Sequence, residues 1–151
     1  MIPIVAIVGP SGSGKTTVIT GVIAELTARG YRVGAIKHTH HDFEIDQPGK
    51  DSFAMKAAGA VGVILVSSRR LALIRDTTDE LGPLELVARY LADLDLVLVE
   101  GFAHSELPKI YLAHDSASTP PHQTLKVLPA RRFGAPEIKE IADLLEERFL
   151  L

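Results

Sequence analysis

The sequence predicts an α/β domain, three layers deep and built on a largely parallel sheet, and three features carry that reading. Short apolar runs alternate with helix-like segments along the chain. A complete phosphate-binding loop, Gly9-Pro10-Ser11-Gly12-Ser13-Gly14-Lys15-Thr16, joins the first apolar run to the first helical pattern. A later run, Leu96 to Val99, is wholly apolar and ends in an acid, Glu100. Together these make the fold P-loop NTPase-like. No linker, low-complexity tract or internal repeat interrupts the chain, so residues 1–151 are expected to form a single P-loop nucleotide-binding domain.

Each element has a local reason. Ile4 to Val8 is uniformly apolar and reads as the first strand. Thr17 to Ala28 follows as a helix, with Val18, Val22, Ile23 and Leu26 at core-facing spacing and Gly30 as its stop. Arg32 to Lys37 is the next strand, and a polar loop runs from His38 to Lys50. A short helix from about Asp51 to Ala58 leads into Val61 to Val66, whose unbroken apolar character suits a strand covered on both faces. Leu71 to Arg75 reads as a strand with Thr77 to Gly82 as its exit loop. Pro83 fits the first turn of a helix reaching about Ala92. Lys109 to Ala113 and Leu125 to Leu128 are strands separated by the turn-rich stretch Asp115 to Gln123, and Pro136 opens a last helix through about Phe149.

Open α/β sheets bind ligands at the carboxyl ends of their strands, which directs attention to three places. The first strand ends in the phosphate loop, the second at Lys37-His38, and Leu96 to Val99 at Glu100-Gly101. In the loop, Gly9, Gly12, Ser13 and Gly14 let backbone N–H groups turn around a triphosphate, with Thr17 just inside the helix. Lys15 is the residue placed to reach the β- and γ-phosphates and to stabilise charge during phosphoryl transfer. Thr16 offers a hydroxyl to Mg²⁺, an ion that takes oxygen ligands and commonly one or two carboxylates. Glu100 stands where such a carboxylate is expected, although a turn acid also fits that place. Asp95 precedes the same strand and belongs at the opposite edge of the sheet.

Composition narrows the class. The 46% apolar content supports a packed core, and no apolar run approaches a membrane span. Met1-Ile2-Pro3 lacks a basic segment, so the first run reads as a buried strand and not a signal peptide; a cytoplasmic protein is expected. There are no cysteines, which excludes disulfides and thiolate metal sites. A net charge of −3 gives no general attraction to nucleic acid, and Arg69-Arg70 and Arg131-Arg132 read as solvated surface pairs. The loop His38-Thr39-His40-His41-Asp42 has zinc-ligand residue types, but its spacing does not match the helical i, i+3 or i, i+4 arrangements of metal sites. A loop that binds substrate or phosphate fits it better. His104, His114 and His122 are isolated and carry no assignment.

The ordered segments Ile36-Lys37-His38-Thr39-His40-His41-Asp42, Pro48-Gly49-Lys50-Asp51-Ser52 and Leu98-Val99-Glu100-Gly101-Phe102 resemble the molybdopterin-guanine dinucleotide biosynthesis protein B (MobB) family, over roughly the first three quarters of the chain. The resemblance implies a GTP-binding, weakly hydrolysing P-loop protein that uses GTP and Mg²⁺. It also implies work on the molybdopterin cofactor beside the guanylyltransferase that attaches GMP to it. Dethiobiotin synthetase, a distant relative, groups a phosphate-loop threonine, a helix-starting aspartate and a glutamate in a VEG sequence around Mg²⁺. Thr16, Asp51 and Glu100 match those positions, which makes them the implied metal ligands. Asp51 also suits a helix N-cap. Lys37 resembles a substrate- or phosphate-facing lysine of that relative, and a solvated strand-end lysine fits as well.

The chain departs from the family near its end. A VASD-like segment is common there, whereas Leu125-Lys126-Val127-Leu128-Pro129-Ala130 runs directly into Arg131-Arg132, and the acid is missing. No Asn-Lys-x-Asp segment reads guanine, so guanine preference rests on the resemblance. The functional reading is a GTP-binding adaptor; the alternative is a P-loop small-molecule kinase or ligase like the synthetase. Valine- and leucine-rich strands, the segment Phe149-Leu150-Leu151 and the resemblance lead to the expectation of a homodimer.

Overall fold

The computed structural model describes residues 1–151. Its elements in chain order are β1 (Ile4–Val8), α1 (Lys15–Ala28), β2 (Val33–Lys37), α2 (Asp51–Ala57), β3 (Gly62–Val66), β4 (Leu71–Arg75), α3 (Pro83–Tyr90), β5 (Leu96–Glu100), β6 (Lys109–Ala113), β7 (Thr124–Pro129) and α4 (Ala135–Phe149). The chain divides into two compact units, residues 1–39 with 82–151, and residues 40–81.

The larger unit carries a five-stranded sheet in the order β2-β5-β1-β6-β7, and every pairing within it is parallel. Parallel pairing requires crossovers, and the helices supply them. Successive side chains of β1 point to opposite faces, so one apolar strand feeds two cores. Val5 and Ile7 join Leu98 and Ile110 beneath Val18, Val22 and Leu26 of α1 and Ile141 and Leu145 of α4. Ile4, Ala6 and Val8 join Val97 and Val99 beneath Val87 of α3. The result is the expected three layers, with β1 and β5 buried in the middle. The helix predicted from Thr17 begins earlier, at Lys15, and buries Ile19 with Val18, Val22 and Leu26, while Ile23 packs at the margin.

α1 and α4 are also tied by charge. Arg29 donates to Glu25 at 2.8 Å, Asp143 at 2.7 Å and Glu146 at 2.6 Å. Those bonds raise the Arg29 pKa, the one to Glu25 most. At the other end of α4, Glu137 accepts the Gly134 N–H at 2.7 Å, which satisfies a donor at the helix start.

The smaller unit corrects one expectation. Val61 to Val66 is not a strand covered on both faces: β3 pairs antiparallel with β4 in a separate two-stranded sheet, with Val63 buried and Ile64, Leu65 and Val66 exposed. The reason is the connection. Four residues separate Val66 from Leu71, far fewer than a parallel crossover needs, so the chain must turn straight back. Ser67 closes that turn, its N–H donating to the Arg70 carbonyl at 2.8 Å.

The α1–α4 network has a pH signature. The hydrogen bond from Lys139, followed by that from Arg29, lowers the Asp143 pKa from its ordinary value. A carboxylate depressed in the folded state contributes stability above its unfolded pKa, about 3.9, and loses that contribution as pH falls through the folded value. Thermal unfolding followed from about pH 5 down to about pH 2 should therefore show a falling midpoint, and Asp143→Asn should make that fall shallower while lowering the midpoint at neutral pH. Superimposable curves for parent and variant would remove Asp143 from the account.

Candidate functional site

The phosphate loop lies between β1 and α1, and its shape depends on missing side chains. Gly9, Gly12 and Gly14 have φ of 156°, 67° and 100°. Each is also crowded where a Cβ would go. At Gly9 that atom would sit 2.8 Å from the Leu112 carbonyl oxygen, at Gly12 2.6 Å from an Arg131 Nη, and at Gly14 2.7 Å from Phe133 Cζ. Gly14 is the N-cap of α1, so the unpaired N–H groups of the helix's first turn, which includes Thr16 and Thr17, open from this loop. Ser13 is buried, and its Oγ has no hydrogen-bond partner. Lys15 folds back across the loop, with Nζ donating to the carbonyls of Gly9 at 3.0 Å and Pro10 at 2.8 Å. Its ammonium is thereby held over the loop.

β5 brings the second charged group alongside. In the parallel register Lys37 lies opposite Glu100, and the His38 N–H donates to the Glu100 carbonyl at 2.9 Å. The Glu100 side chain accepts the Thr16 hydroxyl at 3.0 Å and lies 3.9 Å from Lys37 Nζ. Gly101 and Phe102 then take positive φ, 107° and 52°, and the Phe102 ring stacks on His38 with centroids 4.4 Å apart. Thr16, Lys37 and Glu100, chosen from three separate segments, thus meet beside the phosphate loop. Asp51 belongs to the unit of residues 40–81, where it is the first residue of α2; the N-cap is Lys50, so the N-cap reading of Asp51 is corrected by one position. Asp95 sits at the far end of β5, accepting the Arg32 N–H at 2.7 Å.

Metal fit follows from these donors. No group of three or more His, Cys, Asp or Glu side chains forms a metal cage. The Thr16 hydroxyl and Glu100 carboxylate are a pair of hard oxygens, which suits an ion that keeps several waters and shares phosphate oxygens, as Mg²⁺ does. Zinc chemistry has no comparable donor set here.

Sequence reasoning missed Arg131. It read as a solvated surface arginine, yet its Nε donates to the Gly12 carbonyl and its N–H to the Ser13 carbonyl at 3.1 Å. It holds φ of 58°, a left-handed conformation that a non-glycine residue adopts at some cost. The available signal was its place two residues after β7, at a carboxyl strand end.

The family model of molybdopterin guanine dinucleotide synthesis protein B, MobB, matches residues 4–129. The chain belongs to the MobB family. The molybdopterin-guanine dinucleotide biosynthesis adapter protein of Escherichia coli K12 is 47% identical over 129 residues, spanning 82% of this chain and 72% of that protein. The adapter protein of Haemophilus influenzae is 44% identical over 120 residues, spanning 79% and 67%. A crystal structure of molybdopterin-guanine biosynthesis protein B superposes with a TM-score of 0.73 at 30% identity, covering 98% of this chain and 99% of that one. Bacillus subtilis MobB shares the fold, with a TM-score of 0.72 at 24% identity. These MobB structures also bear out the P-loop NTPase-like fold.

Gly14→Ala tests the dependence of the loop on its glycines. A forced left-handed alanine costs about 1–2 kcal/mol even before the clash with Phe133, so nucleoside triphosphate affinity should fall at least about tenfold. Circular dichroism should be unchanged, since the sheet is untouched. Calorimetry giving parental affinity would show that the loop tolerates a Cβ there.

Proposed function

We propose that this chain is a GTP-binding accessory protein of molybdenum cofactor biosynthesis, which assists a guanylyltransferase in attaching GMP to molybdopterin and hydrolyses GTP weakly. The observation that carries the reading is the phosphate loop with Lys15 held across it, in a chain of the MobB family. The names of the adapter relatives supply the pathway. Gly9, Gly12, Ser13, Gly14, Lys15, Thr16 and Thr17 hold the triphosphate, mostly through backbone N–H groups, and Lys37 adds charge beside it. Lys15 serves the β- and γ-phosphates and is the residue assigned to catalysis of the weak hydrolysis. Thr16 and Glu100 would hold Mg²⁺, and the resemblance names Asp51 as a further ligand. When bound, the ion would neutralise phosphate charge.

Adaptor work explains the site better than vigorous catalysis does. Glu100, the carboxylate beside the loop, is already engaged by Thr16 and neighboured by Lys37, which suits an ion ligand more than a general base. A cytoplasmic location is part of this proposal; no helix is long and apolar enough to cross a membrane. Ile64, Val66, Leu71 and Leu73 are exposed on one face of the paired β3 and β4, a patch that supports a homodimer.

Formation of the guanine dinucleotide cofactor by the guanylyltransferase at limiting GTP is the direct test. Adding this protein with Mg²⁺ should raise the yield, and Lys15→Ala should abolish the gain; equal yields with parent, variant or no addition would reject the adaptor reading. In the same assay Glu100→Gln and Asp51→Asn should each change the Mg²⁺ concentration needed, and an unchanged titration would return that acid to a structural role.

Light scattering at micromolar concentration should give about twice the 16.3 kDa chain mass. A monomer throughout would contradict the dimer.

A further inference from the structure

Nothing in the sequence reads the base of the nucleotide, and the structure supplies a place where it can be read. A cavity of about 1030 Å³ opens between the carboxyl ends of β6 and β7, with Gly12, Ser13, His114, Asp115, Pro129 and Arg131 in its wall. It is large enough for a nucleoside, at the upper end of the ~300–1,000 Å³ usual for small-molecule sites. It also shares the phosphate loop as part of that wall, and Arg131 bonds the two together through the Gly12 and Ser13 carbonyls. Of the other large cavities, one is a groove of about 1080 Å³ at the amino ends of the strands, lined by Ile2, Ile4, Leu84, Val87 and Phe149. It contains no phosphate-loop residue. Another lies wholly within residues 40–81.

Asp115 is the one acid in the wall of this cavity, and hydrogen bonds fix its geometry. Its Oδ1 accepts the Ala117 N–H at 3.1 Å and the Ser118 hydroxyl at 2.9 Å. Both bonds go to the same oxygen, which leaves Oδ2 to accept from a ligand. The Ser118 hydrogen bond, more than any other cause, lowers the carboxyl pKa, so the group is an anion at neutral pH and purely an acceptor. Guanine presents two adjacent donors, N1–H and the 2-amino group, to such an acceptor. Adenine presents the lone pair of N1 at the corresponding position, which a carboxylate repels.

We propose that this cavity takes the purine of the bound nucleoside triphosphate and that Asp115 selects guanine by accepting hydrogen bonds from N1–H and the 2-amino group. The inference rests on the nucleotide reading above and adds the residue that discriminates. Arg131 is a positioning residue, since its bonds hold the wall of the cavity to the loop that grips the phosphates.

Calorimetry with GTP, ATP, xanthosine triphosphate and inorganic tripolyphosphate, each with Mg²⁺, tests it. The parent should prefer GTP to ATP by at least about tenfold, since a polar site rejects a mismatched partner strongly. Asp115→Asn keeps the oxygen that accepts from Ala117 and Ser118, but adds an amide N–H₂. It should weaken GTP at least about tenfold and gain affinity for xanthosine triphosphate relative to GTP, because the N–H₂ meets two donors on guanine but one donor and one acceptor, O2, on xanthine. Asp115→Ala should lose GTP without that gain. Tripolyphosphate affinity should be the same for all three proteins, which verifies that the variants fold and keep the loop. A GTP to xanthosine triphosphate ratio unchanged in both variants would overturn the base assignment while leaving the nucleotide reading intact. Failure of the parent to bind any triphosphate would overturn both together.

Discussion

Close packing of the phosphate loop against the strand and segment beside it is the constraint on which this structure turns. Three glycines let the loop sink against a wall built from Leu112, Arg131 and Phe133, contributed by β6 and the segment after β7. A side chain at Gly9 would meet the Leu112 carbonyl, a backbone atom, and push the loop off that wall. The loop's N–H groups would then point elsewhere, and the start of α1 would move with them, because Gly14 is its N-cap. β6 and β7 are therefore more than sheet extensions: they form the surface against which the loop takes its shape. The non-glycine strain at Arg131 belongs to the same arrangement, held by two hydrogen bonds to the loop it supports.

Rigidity behind the loop comes from the sheet. β1 is flanked by β5 and β6 and buried on both faces, so the point from which the loop departs is fixed by two cores at once. The register then sets the chemistry. Because β2 and β5 run parallel with Lys37 opposite Glu100, a lysine and a glutamate from strands far apart in sequence end at the same edge. Gly101 makes the next step possible: its φ of 107° turns the chain under His38, whose Cβ lies 3.0 Å from where a Gly101 Cβ would be. The same turn brings Phe102 onto the imidazole.

Much of this was legible in the residues, and the gaps have physical causes. The strand, glycine-rich loop and helix around Lys15 could be read directly, because each glycine answers a local backbone need. The meeting of Thr16 with Glu100 was legible only through the rule that ligands gather at strand ends, together with the family resemblance. The apolar run at Val61 to Val66 misled because apolarity alone does not distinguish one covered face from two, and the four-residue link to Leu71 was the better evidence. Arg131 stayed hidden for another reason. Its role is a long-range contact, 119 residues from Gly12, and nothing in an Arg-Arg pair distinguishes a loop support from a solvated surface.

Lys15 shows how the site can discriminate by charge without moving its backbone. Its ammonium donates to two neutral carbonyls, those of Gly9 and Pro10. A hydrogen bond to a phosphate oxygen has charge on both partners, whereas the bond to a carbonyl has charge on the donor alone. Exchange of a carbonyl for a β- or γ-phosphate is therefore favourable, while a monophosphate, which has neither, offers nothing to draw the lysine away. The same carbonyls keep the long side chain ordered over the loop, so less conformational entropy is lost when the phosphate arrives. On the proposed nucleotide-binding role, selectivity for a triphosphate would follow from the contrast between two kinds of acceptor presented to one ammonium group.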